Sequence, residues 1–387
     1  MWPLNGRALL AALTLGSFAR ADVETDLATV LPFGPRVAGS AAGEQARTYF
    51  EAQFRALGYG TRREAFSYPR FEDLGSDVRV GERVLTGRAL QGTVGGEVTA
   101  PAVPVPGVGT PSDFGKVDVR GRIAVVRRGE LSFLHKARNA LAAGAAGLIV
   151  VNSEAGELRG SLGERVELPV LGVPPAVGAA LREGQTVSLR VRVREGEVHG
   201  VNVVAYKASA EPPEFLFGGH LDSVPGAPGA NDNLSGSLAV LELARRAVNT
   251  PLAARSLFVL FDGEEDGLRG SRAFVKANPA VLQSLKAMFN FDMVGVNAAP
   301  LAVGGDSALV DAALRGTPAL GSFRAGGDSD HASFSAAGVP TLFFHRGLDA
   351  NYHQPGDTLA DPALIRETVD AALRTVDAVQ SAGRAGR

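Results

Sequence analysis

The stretch EFLFGGHLDSVPGAPGANDNLSGSLAVLELARRAV (214–248) predicts a strand, a loop and a helix in direct succession. Residues 214–220 are a short, largely apolar run, which is typical of a buried strand. Glycine and proline then favour a turn. In residues 234–248, leucines recur at helical spacing along one side. The stretch therefore predicts one unit of an α/β fold, in which a strand leads into a helix that covers the sheet.

Three later segments repeat the apolar strand pattern, namely SLFVLFD (256–262), KAMFNFD (286–292) and TLFFH (341–345). Continuous apolar strands of this kind are buried on both faces of a sheet. A final helix is expected from Asp361 to about Val379. We therefore predict an α/β fold, with a mostly parallel mixed sheet sandwiched by helices. Ligands of such sheets bind beyond the carboxyl ends of the strands.

A different kind of sequence interrupts this pattern. Short alternating segments rich in Gly, Val and Pro surround a strand at 123–128 and a helix at 131–144. They predict an inserted β-rich α+β domain of ordinary domain size. The predicted parts are a signal peptide (1–21), a main domain in two pieces (22–85 and 196–387) and the insert (86–195).

The composition limits the classes of function. The chain has 387 residues, of which 45% are hydrophobic and 21% charged, as in ordinary globular proteins. Its formal net charge of −2 gives no electrostatic reason to expect nucleic acid or an anionic membrane as a partner. Cysteine is absent, which excludes disulfides and thiolate metal sites. Any metal must be held by His, Asp and Glu.

The N-terminus predicts a secretory signal. Arg7 supplies a positive charge, residues 8–18 form an apolar core, and Ala19-Arg20-Ala21 fits a small-x-small cleavage site. The core is too short to span a bilayer, and a buried N-terminal helix is the alternative. No later stretch approaches about 20 unbroken apolar residues. We expect a protein that is secreted, either extracellular or periplasmic, and free of the membrane after cleavage.

Acidic and imidazole side chains follow the apolar runs. The candidate metal ligands are His220, Asp232, Glu265, Asp292 and His353. Oxygen and imidazole ligands suit zinc, and cobalt or manganese would fit the same set. Glu264 lies beside Glu265, and a free carboxylate next to a ligand carboxylate suits a general base that takes a proton from the attacking water.

Plainer interpretations exist for each motif. Glu264 and Glu265 follow a glycine and could be solvated acids at the start of a helix, and Asp292 could be an ordinary capping residue. Asn233 begins an N-glycosylation sequon, which we regard as coincidence. Only the combination of the motifs, in this order, is specific.

Two further side chains have expected roles. Asp222 lies two residues after His220, so both point to the same face of a strand end, and its carboxylate can accept the second ring N–H of that histidine. Tyr352 precedes His353 and could donate a hydrogen bond to an oxyanion.

The other histidines are not counted as ligands. Asp330 and His331 are expected to line the pocket or to hold the ligand loop, and His345 to be a structural or rim residue. His135 and His199 are expected at the surface or in packing.

Together the motifs resemble a known family, the secreted co-catalytic di-zinc exopeptidases that include bacterial leucyl aminopeptidases, aminopeptidase Y and glutamate carboxypeptidase. The resemblance covers about residues 25–380. It is carried by HLD (220–222), GANDNLSG (229–236), GEEDGLRGS (263–271), DMVG (292–295) and YHQPGDT (352–358). Residues 115–152 resemble a protease-associated (PA) domain, which is often inserted in these peptidases.

The resemblance implies a zinc-exopeptidase fold and two zinc ions per chain. It assigns His220 and Asp292 to one ion, Glu265 and His353 to the other, and Asp232 to both. It also assigns Glu264 as the general base and Asp222 as the carboxylate that orients His220. The implied activity is a metallo-aminopeptidase that hydrolyses N-terminal residues of peptides.

Two details refine the resemblance. Asp266, with Arg269 nearby, follows the two glutamates where relatives often have an apolar residue, which would change the charge of the pocket wall. SDHASF (329–334) is closer to the aminopeptidase branch than to the carboxypeptidase branch.

Other functions remain open at this stage. A carboxypeptidase, a dipeptidase or an amidase could use the same site, and a secreted binding protein could use the scaffold without activity. A serine hydrolase is disfavoured because no G-x-S-x-G motif occurs; Ser329 is the nearest candidate nucleophile. The PA domain has two open roles, binding a protein or acting as a lid. The expected partners are peptide substrates.

Overall fold

The computed structural model describes residues 22–209 and 211–385, and the predicted signal peptide lies outside them. The chain forms two compact units. The core unit comprises the described part of Met1–Tyr68 together with Val198–Arg387, and the insert unit comprises Pro69–Glu197. Residues 69–85, which we assigned to the main domain, therefore belong to the insert unit in this division.

Within the described residues the chain has twelve α-helices, a 3₁₀ turn at Leu31–Phe33 and a π-helical turn at Ala230–Ser235. The helices are α1 (Val23–Val30), α2 (Ala41–Ala56), α3 (Pro111–Phe114), α4 (Phe133–Ala142), α5 (Pro175–Ala180), α6 (Gly236–Ala247), α7 (Pro251–Ala254), α8 (Arg269–Ala277), α9 (Pro279–Ser284), α10 (Ser307–Gly316), α11 (His331–Ala336) and α12 (Pro362–Ala385).

The same residues contain eighteen strands. They are β1 (Gly60–Asp73), β2 (Asp77–Val80), β3 (Arg83–Thr86), β4 (Arg88–Ala89), β5 (Gln91–Thr93), β6 (Gly96–Pro104), β7 (Ile123–Arg127), β8 (Gly147–Val151), β9 (Ser161–Val166), β10 (Val170–Val173), β11 (Thr186–Val191), β12 (Val193–Tyr206), β13 (Phe215–His220), β14 (Ser256–Phe261), β15 (Ala287–Phe291), β16 (Ala302–Gly305), β17 (Gly321–Ser322) and β18 (Thr341–His345).

The sheet of the core unit has the strand order β1-β12-β14-β13-β15-β18-β16-β17. Its central strands β14, β13, β15 and β18 are parallel, whereas β12 and β16 pair antiparallel with their neighbours. Every residue of β13, β14 and β15 is buried, as expected for strands covered on both faces. The prediction of a mostly parallel mixed sheet is confirmed.

The helices that cover this sheet follow their sequence signals. Ser40 caps α2, because its Oγ accepts a hydrogen bond from the main-chain N–H of Gly43 at 3.1 Å, and Phe50 and Phe54 are buried on one side. The helix predicted from residue 234 begins at Gly236. It starts later because the side chain of Asn233 accepts a hydrogen bond from the N–H of Gly236 and replaces the preceding helical turn.

The insert unit has its own sheet, in the order β3-β2-β11-β6-β7-β8-β10-β4, and a small pair of strands, β5 and β9. Strands β6, β7, β8 and β10 are parallel, and β2 pairs antiparallel with β11. The pairing of β2 explains why residues before 86 belong to this unit. Apolar clusters lie on both faces of the sheet. In the described ranges, we find no helix with the length and hydropathy needed to cross a bilayer.

Candidate dinuclear metal centre

The predicted ligands gather at one edge of the core sheet. His220 is the last residue of β13, Glu264 and Glu265 follow β14, and Asp292 follows β15. Because these strands are parallel, their carboxyl ends meet at the same edge. His353 reaches that edge from the loop after β18.

Gly263 makes the turn between β14 and the two glutamates possible. Its φ of 70° is in the left-handed region, where glycine is favoured. A Cβ atom at this position would lie 2.9 Å from the hydroxyl of Tyr68. A side chain at residue 263 would therefore strain this turn and displace the Tyr68 hydroxyl.

Asp232 lies between two imidazoles. Its Oδ1 is 3.4 Å from Nε2 of His220, and its Oδ2 is 3.2 Å from Nε2 of His353. Asp292 Oδ1 is 3.5 Å from the same His220 nitrogen, and Glu265 Oε2 is 3.0 Å from the His353 nitrogen. Each imidazole thus faces one oxygen of the shared carboxylate and one further acid, as two neighbouring cation sites require.

The donor set fits cations. Two groups of three side chains each bring potential metal-ligand atoms within 4.8 Å of one another. The groups are His220, Glu264 and Asp292, and His220, Asp232 and Glu265. Among the described residues, no hydrogen-bond donor reaches the buried Oε1 of Glu265 or the buried Oδ1 of Asp292. Burying an unpaired carboxylate oxygen is unfavourable, and a cation would satisfy both atoms. Imidazole and carboxylate ligands without thiolates suit zinc.

Crowding and burial change the acidity of the carboxyl groups. Burial raises the pKa of Glu264 to about 10, with Asp292 adding to the rise and His220 opposing it. Burial also raises the pKa of Glu265 to about 7. For Asp232, burial acts in the same direction, but hydrogen bonds with His220 and His353 outweigh it and hold its pKa below the usual range.

The neighbouring acids raise the pKa values of both histidines. Hydrogen bonds with Asp232 and Glu265 raise the pKa of His353 to about 9. Burial disfavours the charged form of His220, yet Glu264 and Asp292 raise its pKa well above the ordinary value. Protons on the imidazoles thus balance part of the acidic charge, and cations would compete with those protons for the same atoms.

Asp222 has partners beyond those expected. Its Oδ1 and Oδ2 accept hydrogen bonds from the main-chain N–H groups of Glu264 and Glu265, at 3.1 and 3.2 Å. Nδ1 of His220 lies 3.1 Å from the main-chain oxygen of Asp222 and 3.6 Å from its carboxylate. The side chain therefore holds the turn of the two glutamates, while the ring N–H donates to the main chain.

Polar residues behind Asp292 were not identified from the sequence as part of the site. Ser329 Oγ donates to Asp292 Oδ2 at 2.7 Å, and Asn290 Nδ2 donates to Ser329 Oγ at 2.7 Å. His345 Nδ1 donates to the main-chain oxygen of Asp292 at 2.8 Å. A signal was present, because Asn290 is the only polar residue of the strand AMFNF. Ser329 is buried on Asp292, which leaves it unsuited as a nucleophile.

Asp330 lies fully buried beside this group. Among the described residues, neither of its carboxylate oxygens has a hydrogen-bond partner within bonding geometry. Burial raises its pKa to about 7, and His220 and the Ser271 hydroxyl act against the rise. The adjacent His331 stacks on Phe343, with ring centroids 4.7 Å apart, and donates from Nε2 to the main-chain oxygen of Gly326.

Tyr352 packs against a predicted ligand. Its ring stacks on that of His353 with centroids 3.8 Å apart, and 37% of the residue is exposed. Burial of its hydroxyl and the nearby Asp232 and Glu265 raise its pKa, so the hydroxyl stays protonated and can donate a hydrogen bond.

The sequon at Asn233 and the two remaining histidines are not among the proposed ligands. Asn233 is fully buried and donates from Nδ2 to the main-chain oxygen of Phe291 at 2.9 Å, so the sequon is not accessible to glycosylation. His135 and His199 are exposed.

Asp266 and Arg269, the departure from the family pattern, are tied into the same turn. The Tyr68 hydroxyl donates to Oδ2 of Asp266. The Arg269 guanidinium lies over the Tyr68 ring, and its Nε donates to the main-chain oxygen of Asp266 at 2.9 Å. The extra acid is therefore part of a local network that stabilises the turn.

Comparisons with known proteins point to one family. Residues 202–376 match the model of peptidase family M28, and residues 96–181 match that of the PA domain. Aminopeptidase YwaD of Bacillus subtilis is 31% identical over 354 residues, an alignment that covers 84% of this chain and 76% of that protein.

Two solved structures share the fold over almost the whole chain. An aminopeptidase from Aneurinibacillus sp. strain AM-1 superposes with a TM-score of 0.76 at 30% identity, covering 92% of this chain and 93% of the other. BSAP, a zinc aminopeptidase from Bacillus subtilis, superposes with a TM-score of 0.72 at 27% identity, covering 92% and 94%.

Proposed function

This chain belongs to peptidase family M28, and from that membership we propose that it is a zinc aminopeptidase that removes N-terminal residues from peptides. The observation that carries the proposal is the position of Asp232, whose two oxygens face two different imidazoles at the carboxyl edge of the sheet. A carboxylate in this position can be shared by two cations, as the two-metal hydrolases require.

The residues divide into two sets of ligands. His220 and Asp292 would hold one zinc ion, His353 and Glu265 the other, and Asp232 would contact both. When bound, the ions would polarise the scissile carbonyl group and make the attacking water more acidic.

Glu264 is proposed to move the proton. Its carboxylate would accept the proton of the attacking water and then give it to the nitrogen of the leaving amine as the C–N bond breaks. Asp222 would keep Glu264 and Glu265 in place through their main-chain N–H groups. Burial alone would keep Glu264 protonated near neutral pH, and bound cations would lower its pKa by favouring the charged form.

Tyr352 is proposed to stabilise the transition state. Its hydroxyl remains protonated, and the stacking of its ring on His353 places the residue at the rim of the site. A hydrogen bond from this hydroxyl to the developing oxyanion would be stronger in the transition state than in the ground state.

The acidic character of the site favours a free N-terminus as the substrate. Glu264, which is not among the proposed ligands, leaves an acidic group at the site to which an α-ammonium group would be attracted. A carboxypeptidase would have to place a negative C-terminus beside the same acid. This difference is the reason for preferring an aminopeptidase to a carboxypeptidase, dipeptidase or amidase of the same fold.

Export and the role of the insert are further parts of the proposal. Residues 1–21 carry the composition of a signal peptide, so we propose that the peptidase acts outside the cytoplasm. We also propose that the PA domain, which is predicted to span residues 86–195 and matches the domain model over residues 96–181, selects substrates, either by binding a protein or by limiting access as a lid.

One assay tests reaction class and terminal preference together. The full chain would be incubated with aminoacyl anilides, with their N-acetylated forms and with N-blocked dipeptides that have a free C-terminus. We expect hydrolysis of the free aminoacyl anilides alone. A chelator should abolish it, and added zinc should restore it.

Each contrary result points to a defined alternative. Cleavage of the N-blocked dipeptides would assign a carboxypeptidase. Hydrolysis that survives the chelator would assign a serine mechanism. A protein that binds two zinc ions and cleaves none of the substrates would be a binding protein on this scaffold.

A further inference from the structure

A buried aspartate lies directly behind the loop that carries Asp232. Asp357 is 3% exposed. Its Oδ1 accepts a hydrogen bond from the main-chain N–H of Asn231 at 2.8 Å, and its Oδ2 accepts one from that of Asp232 at 3.0 Å. Its main-chain oxygen accepts a third from Ala230 at 3.1 Å. Three successive amides of the loop thus donate to one residue.

A buried arginine holds the other side of the same loop. Arg36 is fully buried and donates three hydrogen bonds to main-chain oxygens. The acceptors are Leu221 at 2.8 Å, Pro228 at 2.6 Å and Gly229 at 2.8 Å. The loop from 221 to 229 is thereby held by a single planar cation.

The surroundings of Arg36 keep it charged. Burial lowers its pKa to about 10, while Asp222, Asp357 and Asp232 oppose that shift. The side chain therefore carries a full charge near neutral pH. Its partners are all carbonyl oxygens, which leaves the carboxylates of the site free of a direct ion pair with it.

The loop needs such support because regular structure does not supply it. Asp232 and Asn233 have non-helical backbone angles, and Gly229 has a φ of 67°. Buried main-chain N–H and C=O groups outside helices and strands require other partners. Asp357 accepts hydrogen bonds from the main-chain N–H groups of the loop, and Arg36 donates hydrogen bonds to its carbonyl oxygens. The segment that they hold carries Asp232, the shared carboxylate.

We propose that Asp357 and Arg36 are positioning residues that fix the backbone of residues 221–232, so that Asp232 presents one oxygen to the His220 cation site and the other to the His353 site. This inference rests on the proposed two-cation site. Since Asp232 faces both imidazoles, a displaced loop should weaken both cation sites together. Loss of a ligand to one site, as in His353→Ala, should weaken one site much more than the other.

The test measures zinc binding rather than turnover. The full chain is stripped of metal and titrated with zinc against a competing chelator, for the native sequence and for Asp357→Asn. The substitution keeps the shape of the side chain but turns an amide nitrogen toward one of the two main-chain N–H groups. We expect the affinities of both sites to fall by about 10- to 100-fold, the size of effect known for residues that orient metal ligands.

Matched variants separate positioning from general stability. Asp361→Asn changes a carboxylate that also accepts a main-chain N–H, at the start of α12, and should bind zinc like the native chain. Arg36→Lys should weaken both sites. Arg346→Lys, a buried arginine bonded to Leu364 and Glu367, should not. The visible absorption spectrum of the cobalt-loaded Asp357→Asn protein should also shift, because the geometry of Asp232 changes.

The outcomes are distinct. Native zinc affinity and a native cobalt spectrum in Asp357→Asn would overturn the inference even if the chain is an active aminopeptidase. Weakening of one site alone would overturn it as well. If the native chain binds two zinc ions without cleaving peptides, the proposed function fails while the zinc titration still decides the role of Asp357. Should Asp357→Asn not fold, Asp357→Glu, which keeps the charge but displaces it, is measured with the same criteria.

Discussion

Buried charged groups have different partners in the insert unit and at the carboxyl edge of the core sheet. We call this edge, where the proposed ligands lie, the catalytic edge. In the insert unit, Asp77 accepts hydrogen bonds from Arg190, Asp113 from the N–H of Thr110, and Lys136 donates to the main-chain oxygen of Val108. Each of these buried charged groups therefore has a hydrogen-bond partner.

In the core unit, several buried polar atoms have no hydrogen-bond partner among the described residues. Those at or beside the centre belong to Glu265, Asn290, Asp292, Asp330 and His331. Burying unpaired polar groups is unfavourable, and the insert unit contains no such atom among its described residues. This contrast is expected if, as proposed, the catalytic edge gives up stability for groups that act on cations and substrate.

The strongest test of this contrast removes the proposed base. Glu264→Gln keeps the size of the side chain but cannot accept the proton of the attacking water. We expect kcat to fall by about 10²- to 10⁴-fold, the range of general acid–base catalysis. Zinc content should remain at the native value, because Glu264 is not among the proposed ligands. Both quantities are measured on the same preparation.

A buried glutamate elsewhere provides the control. Glu51 is 4% exposed and paired with Arg63, so Glu51→Gln changes a charge that serves folding. Its activity per folded molecule should match the native chain. If Glu264→Gln turned over substrate at the native rate, the catalytic edge would lose its proposed base.

A smaller effect is expected for Asp330, whose carboxyl group is buried and has a pKa raised to about 7. The ordinary value in an unfolded chain is about 3.9. The folded state therefore binds this proton more tightly, so the contribution of Asp330 to stability is fully present below about pH 4 and is lost as the pH rises to about 7. Asp330→Asn removes this loss. From about pH 4 to about pH 7, the free energy of unfolding should fall less in the variant than in the native metal-free chain. The difference between the two should be up to about 4 kcal/mol.

Denaturant unfolding of the metal-free proteins at both ends of that pH range measures the difference. Asp328→Asn, an exposed acid of the same loop, should keep the native pH dependence. Equal pH dependence in all three proteins would mean that Asp330 is not held protonated by its surroundings, and the contrast between the two regions would be weaker.

The architecture of the core unit could be predicted because each strand carries its own signal. The apolar runs that end at His220 and Asp292 are short and continuous, and the strands they form are buried on both faces. The edge at which ligands meet then follows from parallel topology. His220, Glu265 and Asp292 meet for that reason, whereas Asp232 and His353 reach the same edge from loops.

The positions of Arg36 and Asp357 could not be predicted in the same way. Arg36 contacts Leu221 across 185 residues, and Asp357 contacts Asn231 across 126. Their role is to satisfy main-chain groups of an irregular loop, and such groups carry no side-chain signature in the sequence. The insert unit begins at Pro69, ahead of the predicted residue 86, for a related reason, since β2 belongs to it through its pairing with β11 and composition does not show that pairing.

The smallest expected effect concerns a feature that the two units share. Ser40 caps α2 in the core unit and Ser132 caps α4 in the insert unit, each through an Oγ that accepts a main-chain N–H. Ser40→Ala and Ser132→Ala should each lower the free energy of unfolding by about 1 kcal/mol and leave kcat unchanged, because a helix cap acts on folding alone. Denaturant unfolding and a peptidase assay measure both quantities. A change in kcat for either variant would show that catalysis depends on more than the catalytic edge.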